Sequence, residues 1–396
     1  MTLNTTIRWE EREQSCEALW HSENSIAPHK RVVIADDTLT ADEAYRFACE
    51  GTAMLWKGDF QNARQLLQAL VRRVDRPSKK SKRIAKGAEK VVGEIAGQAT
   101  LDIFNRHRLT QSQRARILGM LLIQCNSDHS ISLRRAPDIA QACLDAYGNV
   151  GEAYIVSLRE LLGVISAHEW RNKGVSILAN GDKEIRIHPH YGVFSPIRGE
   201  YIELVCNAPL PTCLQTDSIA FDIGVGTGVL SVVLAMRGVQ KVIGTDQDER
   251  ALACAQDNME RLGLSTQIEI VKANLFPQGK AGLIICNPPW LPARPSSSLE
   301  HAIYDPESRM LKGFLAGLKD HLLSDGEGWL ILSDLAEHLE LRTRAELLEW
   351  IDQAGLMIFG RVDIKPKHKK VFDQSDTLYF ARAAEVTSLW RLKSKQ

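Results

Sequence analysis

The sequence predicts two unlike halves: an α-helical N-terminal part, then an α/β part in which a mostly parallel sheet is covered by helices on both faces. Three observations carry this. Apolar residues recur at helical spacing up to about residue 165, two alternating strand-like runs flank Asn180-Gly181, and short apolar runs alternate with helical stretches after residue 217. The implied boundaries are 1–165 for an α-helical domain suited to substrate recognition, 166–205 for a hairpin and linker, and 206–396 for the α/β domain. A chain of 396 residues is too long for one ordinary core, which agrees with such a division.

The clearest N-terminal helix runs from Asp59 to Val74. Asp59 can cap it, and Phe60, Ala63, Leu66, Leu67, Leu70, Val71 and Val74 fall on one face. Further helices are expected at 110–125 and 137–147. Residues 72–90 hold nine basic side chains, Lys79, Lys80, Lys82 and Arg83 among them, against only Asp75 and Glu89. Such a run is either a solvated linker or a surface that meets a polyanion. A hairpin pairs Val175–Ala179 with Glu184–His188 through Asn180-Gly181, which tolerates positive φ. Beyond it, strands are expected at Ser218–Ile223, Lys241–Thr245, Gln267–Val271, Leu283–Cys286 and Trp329–Leu332, and helices at 228–237, 248–262, 307–323 and 337–353.

Composition narrows the function classes. Hydrophobic residues make up 44% and charged residues 25%, globular values that exclude a disordered or fibrous chain. The 49 basic residues balance the 49 acidic ones, so attraction to nucleic acid or membrane must be local. Eight cysteines are scattered singly, with no Cys/His cluster at metal spacing, which implies no metal site and a reducing cytoplasm. The N-terminus, MTLNTTIRWEEREQ, is acidic where a signal peptide would be apolar, and no run approaches a membrane span, so a soluble cytoplasmic protein without a membrane partner is expected.

The first strand of the α/β part runs into Phe221-Asp222-Ile223-Gly224-Val225-Gly226-Thr227-Gly228. Glycines at a strand-to-helix turn let backbone approach a ligand where amides point outward, and imply a nucleoside-bearing cofactor. A dinucleotide fingerprint would need glycine where Val229 stands, so NAD is disfavoured. Asp246 ends the second strand, where a carboxylate can accept both hydroxyls of a ribose. After the third strand, Asn274 is placed to bond an adenine amino group.

The fourth strand runs directly into Asn287-Pro288-Pro289-Trp290. The prolines fix the turn, which leaves the Asn287 amide oxygen and the Pro288 carbonyl as two rigid acceptors at the sheet edge. Such a pair matches a planar NH₂ group, with the nitrogen lone pair left free for an electrophile. Trp290 adds a face on which a flat substrate can stack.

On these residues the chain from about 190 to 382 resembles the class I S-adenosylmethionine-dependent methyltransferases, in the branch with an Asn-Pro-Pro-aromatic motif and the small methyltransferase domain. The segment Phe194-Ser195-Pro196-Ile197-Arg198-Gly199-Glu200-Tyr201 is similar to the one before the glycine loop in release-factor glutamine methyltransferases, and the same domain occurs in ribosomal RNA amino-methyltransferases. The resemblance implies a Rossmann-like seven-stranded sheet and S-adenosylmethionine as cofactor. It implies that Asp222, Gly224, Gly226, Gly228, Asp246, Asn274 and Asn287 bind the cofactor, and that Asn287, Pro288, Pro289 and Trp290 are catalytic. Two positions depart from the pattern: Trp290 stands for the usual tyrosine, and Asn274 for a frequent aspartate.

The acceptor is then a planar amino or amide nitrogen of a macromolecule. RNA is the first choice, on the 72–90 run, Trp290, and the second basic cluster Lys365-Pro-Lys-His-Lys-Lys370. A protein glutamine is the alternative, on the pre-loop segment, and a non-catalytic binding module is a third reading. Oligomeric state is not legible in the sequence.

Overall fold

The computed structural model describes residues 5–76, 96–180, 183–197, 199–295, 300, 302–367 and 369–395. The chain divides into two compact units, Met1–Glu169 and Trp170–Gln396.

The first unit is not the helical domain that periodicity implies, because it is built on a six-stranded sheet of order β1-β2-β6-β5-β4-β3. The strands are β1 (Thr6–Glu11), β2 (Gln14–Trp20), β3 (Val32–Ala35), β4 (Ala53–Trp56), β5 (Leu121–Cys125) and β6 (Tyr154–Ser157). The helices are α1 (Ala41–Cys49), α2 (Phe60–Val74), α3 (Ala96–Leu118), α4 (Ala140–Tyr147) and α5 (Leu158–Lys173). The helix expected at 110–125 therefore ends at Leu118, and its last residues are β5. The reason is local. β4 and β5 are short, almost wholly buried apolar runs without period-2 alternation, which cannot be told from a buried helix by pattern. Helix α2 is capped as its residues suggest: Asp59 accepts from the Gln61 amide, and Phe60, Ala63, Leu66, Leu67 and Leu70 are buried. Asp59 also takes Nε of both Arg134 and Arg135 at 2.8 and 2.7 Å. These bonds hold its carboxyl far below the usual range and tie the loop after β5 to the start of α2. Of the basic run, residues 77–90 lie outside the described residues.

In the second unit, β7 (Val175–Asn180) and β8 (Lys183–Ile187) form the expected antiparallel hairpin. Next come α6 (Glu200–Asn207), β9 (Ile219–Ile223), α7 (Val229–Met236), β10 (Lys241–Asp246), α8 (Glu249–Leu262), β11 (Ile268–Lys272) and β12 (Ala281–Cys286). After these come α9 (Arg309–His321), β13 (Leu322–Ser333), α10 (Leu335–His338), α11 (Arg344–Gln353), β14 (Leu356–Ile364), α12 (Tyr379–Ala384) and β15 (Thr387–Ser394). Seven strands form one sheet in the order β11-β10-β9-β12-β13-β15-β14, parallel except for β15, which runs antiparallel to both neighbours. Alternate residues of β13 face opposite cores: Trp329 and Ile331 pack with α6 and α7, Leu330 and Leu332 with α9 and α11. Helix α7 is buried from Val229 to Ala235, as a helix directly behind a central strand must be. No described helix is long and apolar enough to cross a membrane.

Candidate active site

Parallel register brings the strand tips together. Ile223 pairs with Thr245 on one side and with Cys286 on the other, and Asp246 pairs with Lys272. Gly224, Asp246 and Asn287 therefore leave the carboxyl edge of the sheet side by side, at the point where the strand order reverses direction, the usual ligand crevice of such sheets.

The glycine loop is held to the second strand. The amides of Gly224 and Val225 both donate to the Thr245 carbonyl at 2.9 and 2.8 Å, and the Gly226 amide donates to Asp246 Oδ2 at 3.1 Å. Gly228 has φ 82° at the start of α7, a left-handed conformation that favours glycine, and a Cβ there would lie 2.6 Å from Met259 Cε, the mobile tip of a side chain that could shift. At Gly224, φ 78°, a Cβ would meet Met310 Cε at 2.6 Å. Asp246 also accepts from the amides of Gln247 and Asp248 through Oδ1, at 2.8 and 3.1 Å. Three of its roughly four lone-pair directions are thus used by backbone, and the carboxylate is fixed in place.

Asp222, one residue before the end of β9, is fully enclosed. Burial pushes its carboxyl up to about 7 against the Ser231 hydroxyl, which donates to Oδ2 at 2.7 Å and favours the ionised form. Three further polar side chains of the region, Glu200, Ser195 and Asn258, were given no role from sequence. Glu200, at the first turn of α6, is 6% exposed, and its Oε1 has no hydrogen-bond partner among the described residues; neither has the buried Ser195 Oγ. Glu200 reads in the sequence as an ordinary first-turn acid, which hides it. Asn258 of α8 is wholly buried: it takes the His188 amide at 2.7 Å and donates to the carbonyls of His188, Thr227 and Cys254. One side chain thereby ties the end of the hairpin to the glycine loop.

At the tetrapeptide, the Trp290 indole N–H donates to Asn287 Oδ1 at 2.9 Å. The Trp290 ring packs partly buried against both cores rather than standing free as a stacking face. The chain then returns: Leu291 bridges Tyr304, and the Asp305 amide donates to the Leu291 carbonyl at 2.8 Å. Asp305 is buried and caps α9, accepting from the amides of Met310 and Leu311 at 3.0 and 3.1 Å. Between them, Glu307 and Ser308 both hold positive φ, 59° and 56°, a cost of roughly 1–3 kcal/mol each for residues other than glycine.

Asp222, Gly224, Gly226, Gly228, Asp246 and Asn287 thus share one edge. Asn274 lies exposed beside them, and its Oδ1 accepts from Gln247 Nε2 at 2.7 Å, so that oxygen is occupied within the chain.

Residues 204–289, from α6 to the second proline of the tetrapeptide, match the family of ribosomal protein L11 methyltransferases (PrmA). A ribosomal protein L11 methyltransferase from Caldanaerobacter subterraneus subsp. tengcongensis is 26% identical over 280 residues, covering 66% of this chain and 83% of that protein. One from Aliivibrio fischeri is 29% identical over 135 residues, covering 34% of this chain and 43% of its own length, so the chain spans under half of that relative. Among solved structures, the ribosomal protein L11 methylase from Lactobacillus delbrueckii subsp. bulgaricus overlaps with a TM-score of 0.34 at 15% identity, over 52% of this chain and 82% of that one. The matched segment coincides with the glycine loop, the strand tips and the start of the tetrapeptide. The chain is a class I S-adenosylmethionine-dependent methyltransferase.

Proposed function

We propose that this enzyme methylates a planar amino nitrogen of an RNA base. The observation that carries the reading is the emergence of Asn287 beside Gly224, which sets a rigid hydrogen-bond acceptor next to the loop that holds the cofactor. The residues fit that cofactor: a glycine loop with positive φ at Gly224, Gly226 and Gly228, a fixed carboxylate at Asp246, and a buried carboxylate oxygen at Glu200 without a hydrogen-bond partner among the described residues. Asp246 would take a ribose hydroxyl on the lone-pair direction its backbone bonds leave, and Glu200 would face the positively charged methionyl end. When bound, S-adenosylmethionine supplies an electrophilic methyl group on a sulfonium sulfur.

The chain's own part is positioning. An exocyclic nitrogen is a poor nucleophile because its lone pair is conjugated. Hydrogen bonds from its two N–H groups to Asn287 Oδ1 and the Pro288 carbonyl favour the pyramidal form that frees the pair. The Trp290 N–H uses one lone-pair direction of Oδ1 and leaves the other. Transfer would form the N–C bond as the C–S bond of the sulfonium breaks to leave a neutral thioether, and the nitrogen would shed its proton to solvent. Alignment of two bound reactants contributes roughly 7–11 kcal/mol.

RNA is supported by local charge. Lys365 and Lys367 are exposed, Lys367 pairs with Glu203 of α6 at 3.1 Å, and Phe372 further along the same stretch is 71% exposed, so basic and aromatic side chains stand open to a partner within a few residues of one another. The N-terminal unit would add recognition. A second reading, a nitrogen of a ribosomal protein, is favoured by the names of the matched relatives. Radiolabelled methyl transfer to total RNA and to total protein from a strain lacking this enzyme separates them: label in the RNA fraction supports the first reading, and label confined to protein replaces it with the second.

A further inference from the structure

The seven-stranded sheet ends in an open strand. β14 lies at its edge, paired with β15 on one side and with no described strand on the other. Met357, Ile358, Phe359 and Val362 along it are 37–51% exposed. At the opposite edge the apolar residues of β11 are buried or half-buried, so an edge position alone does not account for this exposure. An open strand carries a row of backbone N–H and C=O groups, and with apolar side chains beside them it is a template for pairing with another strand.

A bulge sets which part of β14 can pair regularly. The register with β15 shifts between Ile358 and Gly360 and then runs unbroken from Gly360 to Ile364. Pro366, just beyond, has no N–H to extend a ladder. Within the regular stretch Arg361 and Asp363 share one face: Arg361 Nε donates to Asp363 Oδ1 at 2.6 Å, and the guanidinium lies over the Trp390 ring, 4.7 Å from its centre. Among the described residues Arg361 is hydrogen-bonded through Nε alone and Asp363 through Oδ1 alone. The terminal guanidinium nitrogens and the second carboxylate oxygen are left open.

We propose that β14 pairs antiparallel with β14 of a second copy of this chain, joining the two sheets edge to edge. The charges select both partner and register. A two-fold axis perpendicular to the sheet sets residues of like parity opposite one another, so at its centre one residue faces its own copy. Centred on Arg361 the pairing opposes two arginines, and centred on Asp363 two aspartates, both unfavourable. Centred on Val362, the middle of the regular stretch, it sets each Arg361 opposite Asp363 of the other copy, with the two Val362 side chains in contact. A strand of unrelated sequence would have to supply both charges at this spacing, whereas a second β14 supplies them by symmetry.

The test is analytical ultracentrifugation of the full-length protein across the micromolar range, for wild type, Arg361→Asp, Val362→Lys, and the charge exchange that combines Arg361→Asp with Asp363→Arg. The expected results are the mass of two chains for wild type, a dissociation constant raised about tenfold or more in each single variant, and return of the dimer in the charge exchange. A melting curve for each variant separates lost pairing from lost folding, and the charge exchange restores opposite charges whatever the single variants do. Wild type at the mass of one chain throughout would overturn the proposal, whatever else then covers β14. So would a dimer that withstands both Arg361→Asp and Val362→Lys, since its interface would lie elsewhere, or a charge exchange that folds and stays single.

Discussion

The indole N–H of Trp290 donates to Oδ1 of Asn287 at 2.9 Å, three residues back along the same turn. A phenyl or phenol ring at that position has no donor aimed there, so the aromatic that departs from the usual tyrosine does something its counterpart cannot. It fixes which end of the carboxamide faces the indole.

That bond predicts a positioning role for Trp290. Trp290→Phe keeps the ring between the two cores and removes the donor, which costs about 0.5–1.5 kcal/mol where the amide must be held. Turnover should fall several-fold, with S-adenosylhomocysteine affinity and melting temperature nearly unchanged. An unchanged kcat would show that Asn287 holds its orientation without the indole.

Asp246 is proposed to bind the ribose. Asp246→Ala should weaken cofactor binding by roughly 1.5–3 kcal/mol, the value of hydrogen bonds to a charged acceptor. Isothermal calorimetry with S-adenosylhomocysteine reads this directly. Part of the loss will come from the glycine loop, because Asp246 also anchors the Gly226 amide. Asp246→Asn, which can keep that anchor through its oxygen, should therefore lose less.

Asp222 predicts a pH dependence. Its carboxyl is raised from 3.8 to about 7 in the folded chain, so the folded state binds the extra proton between those values. Its contribution favours folding below the ordinary carboxylate range and is lost as pH rises towards about 7. Denaturant midpoints of the wild type should fall relative to Asp222→Asn across that window. Parallel curves would mean that the carboxyl is ionised throughout.

Asn258 predicts a stability effect far from any chemistry. Asn258→Ala removes four bonds, three of which tie the end of the hairpin and the glycine loop to α8, and leaves buried backbone groups unpaired, a loss of about 1–3 kcal/mol. Urea denaturation should show a lower midpoint, and cofactor affinity should fall with it.

The C-terminal unit was legible because its chemistry sits at strand tips. Gly224 and Asn287 follow, and Asp246 ends, short runs that are punctuated by glycine or proline and alternate with long helical stretches, which marks them as strands, and parallel pairing does the rest. The N-terminal unit misled for two local reasons. Its central strands are short buried runs without alternation, and the β1–β2 turn is made by Arg12 and Glu13, both at positive φ, without the asparagine or glycine that marks such turns. Glu200 and Asn258 stayed hidden because what distinguishes them is a partner, or the lack of one among the described residues, contributed by residues distant in sequence.

The central claim is that the Asn287 carboxamide acts on the acceptor nitrogen and not on the cofactor. Single-turnover methyl transfer by Asn287→Ala, at saturating S-adenosylmethionine and beside a calorimetric S-adenosylhomocysteine titration, tests it most directly. The predicted result is a transfer rate lower by about 100-fold or more, as when a single preorganised polar group is removed, with cofactor affinity changed by less than about threefold. Near-wild-type transfer, or a rate loss matched by an equal loss of cofactor affinity, would contradict it.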